Sequence, residues 1–167
     1  MIIRFAKRKA AWEETSAEVI RDIEFRRKDG EYDLRPSVYC IDGRESVRCF
    51  AEHAAAAPIE MPASALGLDF TDTKLSLANT PGSSKFKFIE QCHREIIAES
   101  ATDLCGLIAS VLSDSANKKH VIEKRQVVAY AQSRVDLQDS EWVAVIGENP
   151  SKKWLEGLKK TGASPSV

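Results

Sequence analysis

The sequence predicts a single α+β domain in which several amphipathic helices cover a short antiparallel sheet, built mainly from the N-terminal third. The 167 residues fit one domain of ordinary size. Hydrophobic residues make up 43% and charged residues 29%, which is typical of a globular chain. The spacing of apolar residues also changes from about two to about 3.6 near Asp42. We expect the domain to span residues 1–162 and a frayed tail to follow at 163–167.

Strand patterns and turn signals dominate the first 41 residues. The segment from Ile2 to Phe5 predicts a strand, and the β-branched and aromatic run over 37–41 is typical of a buried strand. Residues 12–22 fit both a helical stripe and an alternation with period two, and we favour a helix that precedes a strand. Asp29-Gly30 then indicates a tight turn.

A helix over 43–57 is predicted from a capping-box spacing and an apolar stripe. Asp42 and Glu45 have the spacing in which each side chain binds a backbone N–H at the helix start. Pro58 ends the pattern. From 58 to 82 the chain loses its period, which predicts a long loop with a short strand near Leu75 and Leu77.

Two further helices are expected over 84–98 and 102–113, where apolar residues recur at helical spacing. A cap at Ser83 or Ser84 fits the start of the first of these, and Asp114 to Lys119 forms a polar break after the second. Residues 124–135 suit a helix better than a strand, although their Val-Val-Ala-Tyr run keeps the strand alternative open.

The C-terminal region carries two tryptophans in apolar patterns. Asp139 or Ser140 begins a short segment that contains Trp142, and Asn149-Pro150 begins a last helix. That helix presents Trp154, Leu155 and Leu158, which would either dock on the domain or form an interface with a partner or a second copy of the chain. Docking on the domain is the commoner role.

Charge and cysteine usage argue against several classes of function. The formal net charge is −1, so no overall field favours nucleic acid as a partner. The four cysteines (Cys40, Cys49, Cys92 and Cys105) form no CxxC pair, which indicates reduced thiols. With no signal-peptide pattern and no apolar run long enough for a membrane span, we expect a cytoplasmic protein that does not enter membranes.

His93 is the first candidate for a pocket residue. It occupies the apolar stripe of the helix predicted over 84–98, between Ile89 and Ile96. Burial there would allow the surroundings to shift its pKa to a value suited to acid–base catalysis. A buried histidine that binds one backbone carbonyl is the commoner outcome, so we predict packing before chemistry.

Cysteine and histidine also occur together twice, at Cys49 with His53 and at Cys92 with His93. Four such ligands would in principle hold Zn²⁺. Adjacent residues on a helix point about 100° apart, however, and the short spacings of zinc knuckles are absent. We therefore predict neither a metal nor another cofactor.

Ser83, Ser84 and Lys85 form the nearest approach to an anion-binding motif. They follow Pro81-Gly82 at the expected start of a helix, where free N–H groups favour phosphate or carboxylate. The P-loop spacing is absent, and ordinary capping by serine explains the same residues.

These observations favour a non-catalytic binding or protein-interaction module, with a homodimer or another protein as its partner. The alternative is a small enzyme that acts on an acidic or phosphorylated metabolite through His93 with Lys85 or Cys92. A pocket that contains His93 and a second polar group would favour the enzyme. A flat apolar patch around Trp154 would favour the interaction module.

Overall fold

The structure is a computed structural model that describes residues 1–56, 63–80 and 84–146. Its described strands form one six-stranded sheet with the order β4-β5-β2-β1-β3-β6, and every neighbouring pair is antiparallel. The strands are β1 (Ile2–Phe5), β2 (Ser37–Cys40), β3 (Ser64–Asp69), β4 (Leu77–Asn79), β5 (His93–Ile96) and β6 (Lys119–Glu123).

Helices cover both faces of this sheet, and the predicted α+β class is confirmed. One face carries a 3-10 helix (Lys9–Glu13), α1 (Ala17–Glu24) and α4 (Ala101–Ser113). The other carries α2 (Ser46–Ala56), α3 (Lys87–Cys92), α6 (Lys124–Asp136) and α7 (Ser140–Ile146). A 3-10 turn (Gly43–Glu45) leads into α2, and α5 (Ser115–Lys118) leads into β6. Within the described ranges, no helix has the length and apolar character to cross a bilayer.

Most of the predicted helices are confirmed. Those expected over 43–57 and 102–113 correspond to α2 and α4, and the helix favoured for 124–135 is α6. The ambiguous residues 12–22 end the first 3-10 helix and contribute most of α1, whose first turn is capped by Ser16 through a hydrogen bond from the Val19 N–H. The last predicted helix, with Trp154, Leu155 and Leu158, lies outside the described residues.

The sheet extends beyond the N-terminal third of the chain, because only β1 and β2 of the described strands precede residue 56. The expected strand near Leu77 is confirmed as β4, but a long loop over 58–82 is wrong where β3 occupies Ser64–Asp69. Four consecutive residues of β3 are buried. A strand that is covered on both faces shows no alternation of apolar and polar residues, so its period could not reveal it.

The helix predicted over 84–98 is wrong at both ends. It begins at Lys87 with Phe86 as its N-cap, not Ser83 or Ser84, and it ends at Cys92. The next four residues form β5, which pairs with β2 on one side and β4 on the other. Hydrogen bonds to two neighbouring strands outweigh the helical spacing of the apolar residues, since propensity is weaker than tertiary pairing. His93 therefore begins a strand.

Candidate functional site

A cavity of about 420 Å³ opens where β1 ends and β2 begins. The register of the sheet assembles part of its wall, because Tyr39 on β2 lies opposite Ile3 on β1 and opposite His93 on β5. Helix α2 and the start of α3 close the cavity above the strands. The wall mixes polar and apolar side chains, namely Arg4, Phe5, Lys7, Asp33, Ser37, Tyr39, His53, Ala56, Ser84, Ile89 and His93.

Tyr39 and His53 form a hydrogen-bonded pair in this wall. The tyrosine hydroxyl and Nδ1 of His53 lie 2.9 Å apart, and the His53 ring stacks on Phe5 with the ring centroids 6.1 Å apart. Burial lowers the pKa of His53, with smaller contributions from His93 and Arg4. Burial also raises the pKa of Tyr39. Both groups are therefore uncharged near neutral pH.

The second ring nitrogen of His53 is available to a ligand. Nε2 has no hydrogen-bond partner among the described residues, and it is not among the buried polar atoms that solvent fails to reach. With Nδ1 occupied by Tyr39, His53 presents this one nitrogen to its surroundings. Its place in the cavity wall makes it the accessible imidazole of the site.

His93 lies in the same wall and is 8% exposed, so its predicted burial is confirmed, on β5 instead of a helix. Its ring meets Tyr39 edge-on with the centroids 5.5 Å apart. Nδ1 is buried without a hydrogen-bond partner in the described part of the chain. Burial lowers the pKa of His93, while Glu95 and the Thr80 backbone oppose that shift.

Arg4 is the buried cation of the cavity, with 6% of its surface exposed. Nη1 donates to the Ser37 carbonyl at 2.9 Å, and the guanidinium carbon lies 5.0 Å from the Phe25 ring centroid. Nε is buried without a partner, and within the described ranges no carboxylate lies close enough to pair with the guanidinium. Burial lowers the pKa of Arg4, although Glu24 and Asp33 counteract this effect.

Glu24, the acidic residue with the largest counteracting effect on Arg4, is engaged elsewhere. It is fully buried, and its two carboxylate oxygens accept hydrogen bonds from the backbone N–H groups of Lys7 and Arg8, each at 2.9 Å. This carboxylate fixes the chain that follows β1, and it leaves the Arg4 guanidinium without a direct ion pair. The buried Arg4 guanidinium therefore has N–H donors without partners beside an open cavity.

The four residues considered for a metal site surround Tyr39 but do not form such a site. Cys49 and Cys92 are buried, and the Cys92 thiol donates to the Ile89 carbonyl at 3.5 Å. Burial raises the pKa of Cys49, which keeps its thiol protonated. Among the described residues, no three His, Cys, Asp or Glu side chains have an arrangement that would hold a metal ion.

The residues predicted for anion binding and for an interface are only partly described. Ser84 lines the cavity, and its hydroxyl accepts a hydrogen bond from the Phe86 N–H at 3.2 Å. Lys85 is exposed and does not line it, and Cys92 lies buried beside His93. Ser83 and the segment with Trp154, Leu155 and Leu158 lie outside the described residues.

Two other depressions lack such buried polar groups. One of about 440 Å³ lies between residues 73–76 and the start of α4, and another of about 850 Å³ is an open groove beside Met1 and Asp42. Neither is lined by the buried polar residues Arg4, Glu24, Glu52 or His93. The cavity at Arg4 and His93 is therefore the stronger candidate site.

Comparison with protein-family models, curated proteins and solved structures finds no match to this chain.

Sequence reasoning missed Arg4 and Tyr39 as site residues, and it considered His53 beside the cysteines without predicting it as a pocket residue. Arg4 did carry a signal, because it interrupts the apolar strand pattern between Ile3 and Phe5. A charged residue inside a strand that is covered on both faces must find a buried partner, a ligand or a route to solvent. Tyr39 carried none, since an aromatic residue in a strand is typical of a core.

Proposed function

We propose that this domain binds a small anionic molecule, such as a carboxylate or a phosphate, in the cavity that Arg4, His53 and His93 line. The observation that carries the proposal is the buried Arg4 guanidinium, which pairs with no carboxylate among the described residues. Burying an unpaired charge is costly, so proteins seldom keep one without a compensating partner. An anionic ligand would supply that partner and would accept from the guanidinium donors.

The size and composition of the cavity support a small organic anion. A volume of about 420 Å³ falls in the usual range for small-molecule sites, about 300 to 1,000 Å³. Lys7 adds a second positive charge, and Asp33 adds one negative charge. Phe5, Ile89 and Ala56 offer apolar surface for the body of the ligand.

Calorimetric titration with sodium sulfate, phosphate and acetate tests this proposal. We expect saturable binding of at least one of these anions to the wild type, and about 10- to 100-fold weaker binding to Arg4→Gln, because a hydrogen bond to a charged group is lost. Arg4→Lys, which keeps the charge but not the planar fork, should have intermediate affinity.

Arg44→Gln is the matched control, since Arg44 is a surface arginine whose side chain is 91% exposed and pairs with Asp42. It should bind as the wild type does. Circular dichroism would show that each variant is folded. No binding of any of the three anions to the folded wild type, or equal binding to Arg4→Gln, would contradict the proposal.

An enzyme that performs acid–base chemistry on such an anion is the second candidate function, and a cavity that contains His93 together with other polar groups favours it. The hydrogen bond between Tyr39 and His53 favours it, because a hydrogen-bonded imidazole with one accessible nitrogen is suited to proton transfer. Catalysis by His93 with Lys85 or Cys92, the alternative that the sequence offers, has less support, because neither of those partners lines the cavity. Incubation with a panel of carboxylic acids and phosphomonoesters, followed by ¹H and ³¹P NMR, should detect turnover that His53→Gln abolishes.

We place the protein in the cytoplasm, since four free thiols suit a reducing compartment. A second copy or another protein as partner, bound through the segment with Trp154, Leu155 and Leu158, stays a prediction. Light scattering of the wild type and of Trp154→Ala would test whether the chain forms a dimer.

A further inference from the structure

The charges that line the cavity do not balance a doubly charged anion. Arg4 and Lys7 contribute two positive charges and Asp33 one negative charge, while Tyr39 and the two histidines are neutral. The formal sum over the residues that line the cavity is therefore +1. Glu24 lies outside this wall, and its carboxylate is bound by the backbone N–H groups of Lys7 and Arg8. A dianion such as sulfate would change that sum to −1 in a partly buried space, where an uncompensated charge is costly. One added proton would restore neutrality.

His53 is the group placed to take that proton. Its Nδ1 is 2.9 Å from the Tyr39 hydroxyl, and its Nε2 has no partner among the described residues but remains open to solvent. A doubly protonated ring donates from both nitrogens. Nδ1–H would then donate to the tyrosine oxygen, which is able to accept as well as donate, and Nε2–H would donate to the anion. His93 is less suited, because its Nδ1 is closed to solvent.

Resting on the proposed function, we infer that a dianion enters this cavity together with one proton, which His53 holds between Tyr39 and the ligand. The cavity thus binds an acid as anion plus proton, and its affinity depends on pH. The titratable and charged groups that share the wall with His53 are Arg4 and Lys7 at the end of β1, Asp33 before β2, Tyr39 on β2 and His93 on β5. The Arg4 charge disfavours the imidazolium until an anion offsets it, so anion and proton each promote binding of the other.

Sulfate is the probe of choice because it carries no titratable proton near neutral pH. Calorimetry at pH 7.5 in Tris and in HEPES, whose ionisation enthalpies differ, measures proton uptake. We expect about one proton per sulfate, and an affinity that falls by up to about tenfold per pH unit above neutrality. Formate carries a single charge, so its binding should be accompanied by the uptake of clearly fewer protons per anion.

Two variants locate the proton. His53→Gln keeps an amide that can bind the Tyr39 hydroxyl but cannot titrate, so sulfate should bind with no proton uptake and little pH dependence. His120→Gln is the matched control, because His120 lies on β6 beside Asp69 and does not line the cavity. It should behave as the wild type does.

The outcomes separate this inference from the proposed function. Sulfate binding with proton uptake that His53→Gln removes supports both. Binding without proton uptake, or uptake that persists in His53→Gln, overturns the inference and leaves anion binding intact. Absence of binding by sulfate, phosphate and acetate alike overturns the proposed function and the inference with it.

Discussion

The hydroxyl of Tyr39 is predicted to stabilise the fold through one buried hydrogen bond, and Tyr39→Phe removes that hydroxyl alone. The ring contacts of Tyr39 with Phe5, His53 and His93, with centroids 5.4, 5.7 and 5.5 Å apart, do not require the oxygen. Any change in the free energy of unfolding therefore reports on the bond to Nδ1 of His53 and not on packing.

The size of the effect follows from the burial of both partners. Tyr39 is 4% exposed and His53 is partly buried. Removing the hydroxyl loses a net hydrogen bond and leaves Nδ1 without a partner, which together cost about 1 to 3 kcal/mol. For a central value of about 2 kcal/mol, the midpoint of thermal unfolding of a domain this size should fall by about 4 to 8 °C.

Urea denaturation at pH 7.5, followed by tryptophan fluorescence and circular dichroism, measures this cost. Tyr32→Phe is the control, because its hydroxyl binds Asp22 at 2.8 Å at a site where the Asp22 side chain is 41% exposed. Water replaces that bond, so the control should lose less than about 0.5 kcal/mol. If Tyr39→Phe is as stable as the wild type, the hydroxyl and Nδ1 do not share a buried bond and the proposed proton site is refuted.

Three further predictions concern the backbone, the pH dependence and the core. Gly30→Ala should lower the free energy of unfolding by about 1 to 2 kcal/mol, because Gly30 has φ +90°. Gly106→Ala should instead raise it by about 0.5 to 1 kcal/mol, since an added Cβ on α4 meets no atom within 4 Å. Thermal melts of both variants check these signs. Burial lowers the folded-state pKa of His53 and His93. Below about pH 6.5 the unfolded chain therefore binds more protons than the folded chain does. The free energy of unfolding should therefore have its full value above that pH, and below it should fall by up to about 2.7 kcal/mol per pH unit. Urea midpoints between pH 5 and 8 should show this slope, and His53→Gln should reduce it by half. Leu104→Ala removes a fully buried side chain and should cost about 2 to 5 kcal/mol in the same assay.

The helices of this fold could be predicted from the sequence where local signals agree with tertiary packing. In α4, Ser100 caps the first turn by accepting from the Asp103 N–H, and Leu104, Ile108 and Val111 form a continuous buried stripe. The capping residue and the helical spacing of the apolar residues both predict a helix here, so no other secondary structure competes with it.

The strands β3 and β5 could not be predicted because pairing, not local pattern, decides them. Gly67 and Leu68 of β3 are both buried, one on each face of the sheet, which erases the alternation of period two. Ile89, His93 and Ile96 have helical spacing, yet β5 is held between β2 and β4. A local sequence pattern does not specify which strands, distant in the sequence, will be neighbours in the sheet.

The candidate site was only partly predictable for the same reason. His93 was identified as a buried candidate from its place among apolar residues, and its burial is confirmed. The partners that give the site its chemistry, Arg4, Tyr39 and His53, come from three separate elements that meet only in the folded sheet. Arg4 was detectable in principle as a charge inside a buried strand.

Backbone amide NMR of the wild type during titration with sodium sulfate is the most direct test of the claim that this cavity binds an anion. We expect saturable shifts for the amides of Phe5, Tyr39 and His93, all in strands that line the cavity, and none for Thr73 or Gly106 at the separate groove of α4. Shifts that do not saturate, or that concentrate at the groove of α4, would contradict the proposed site.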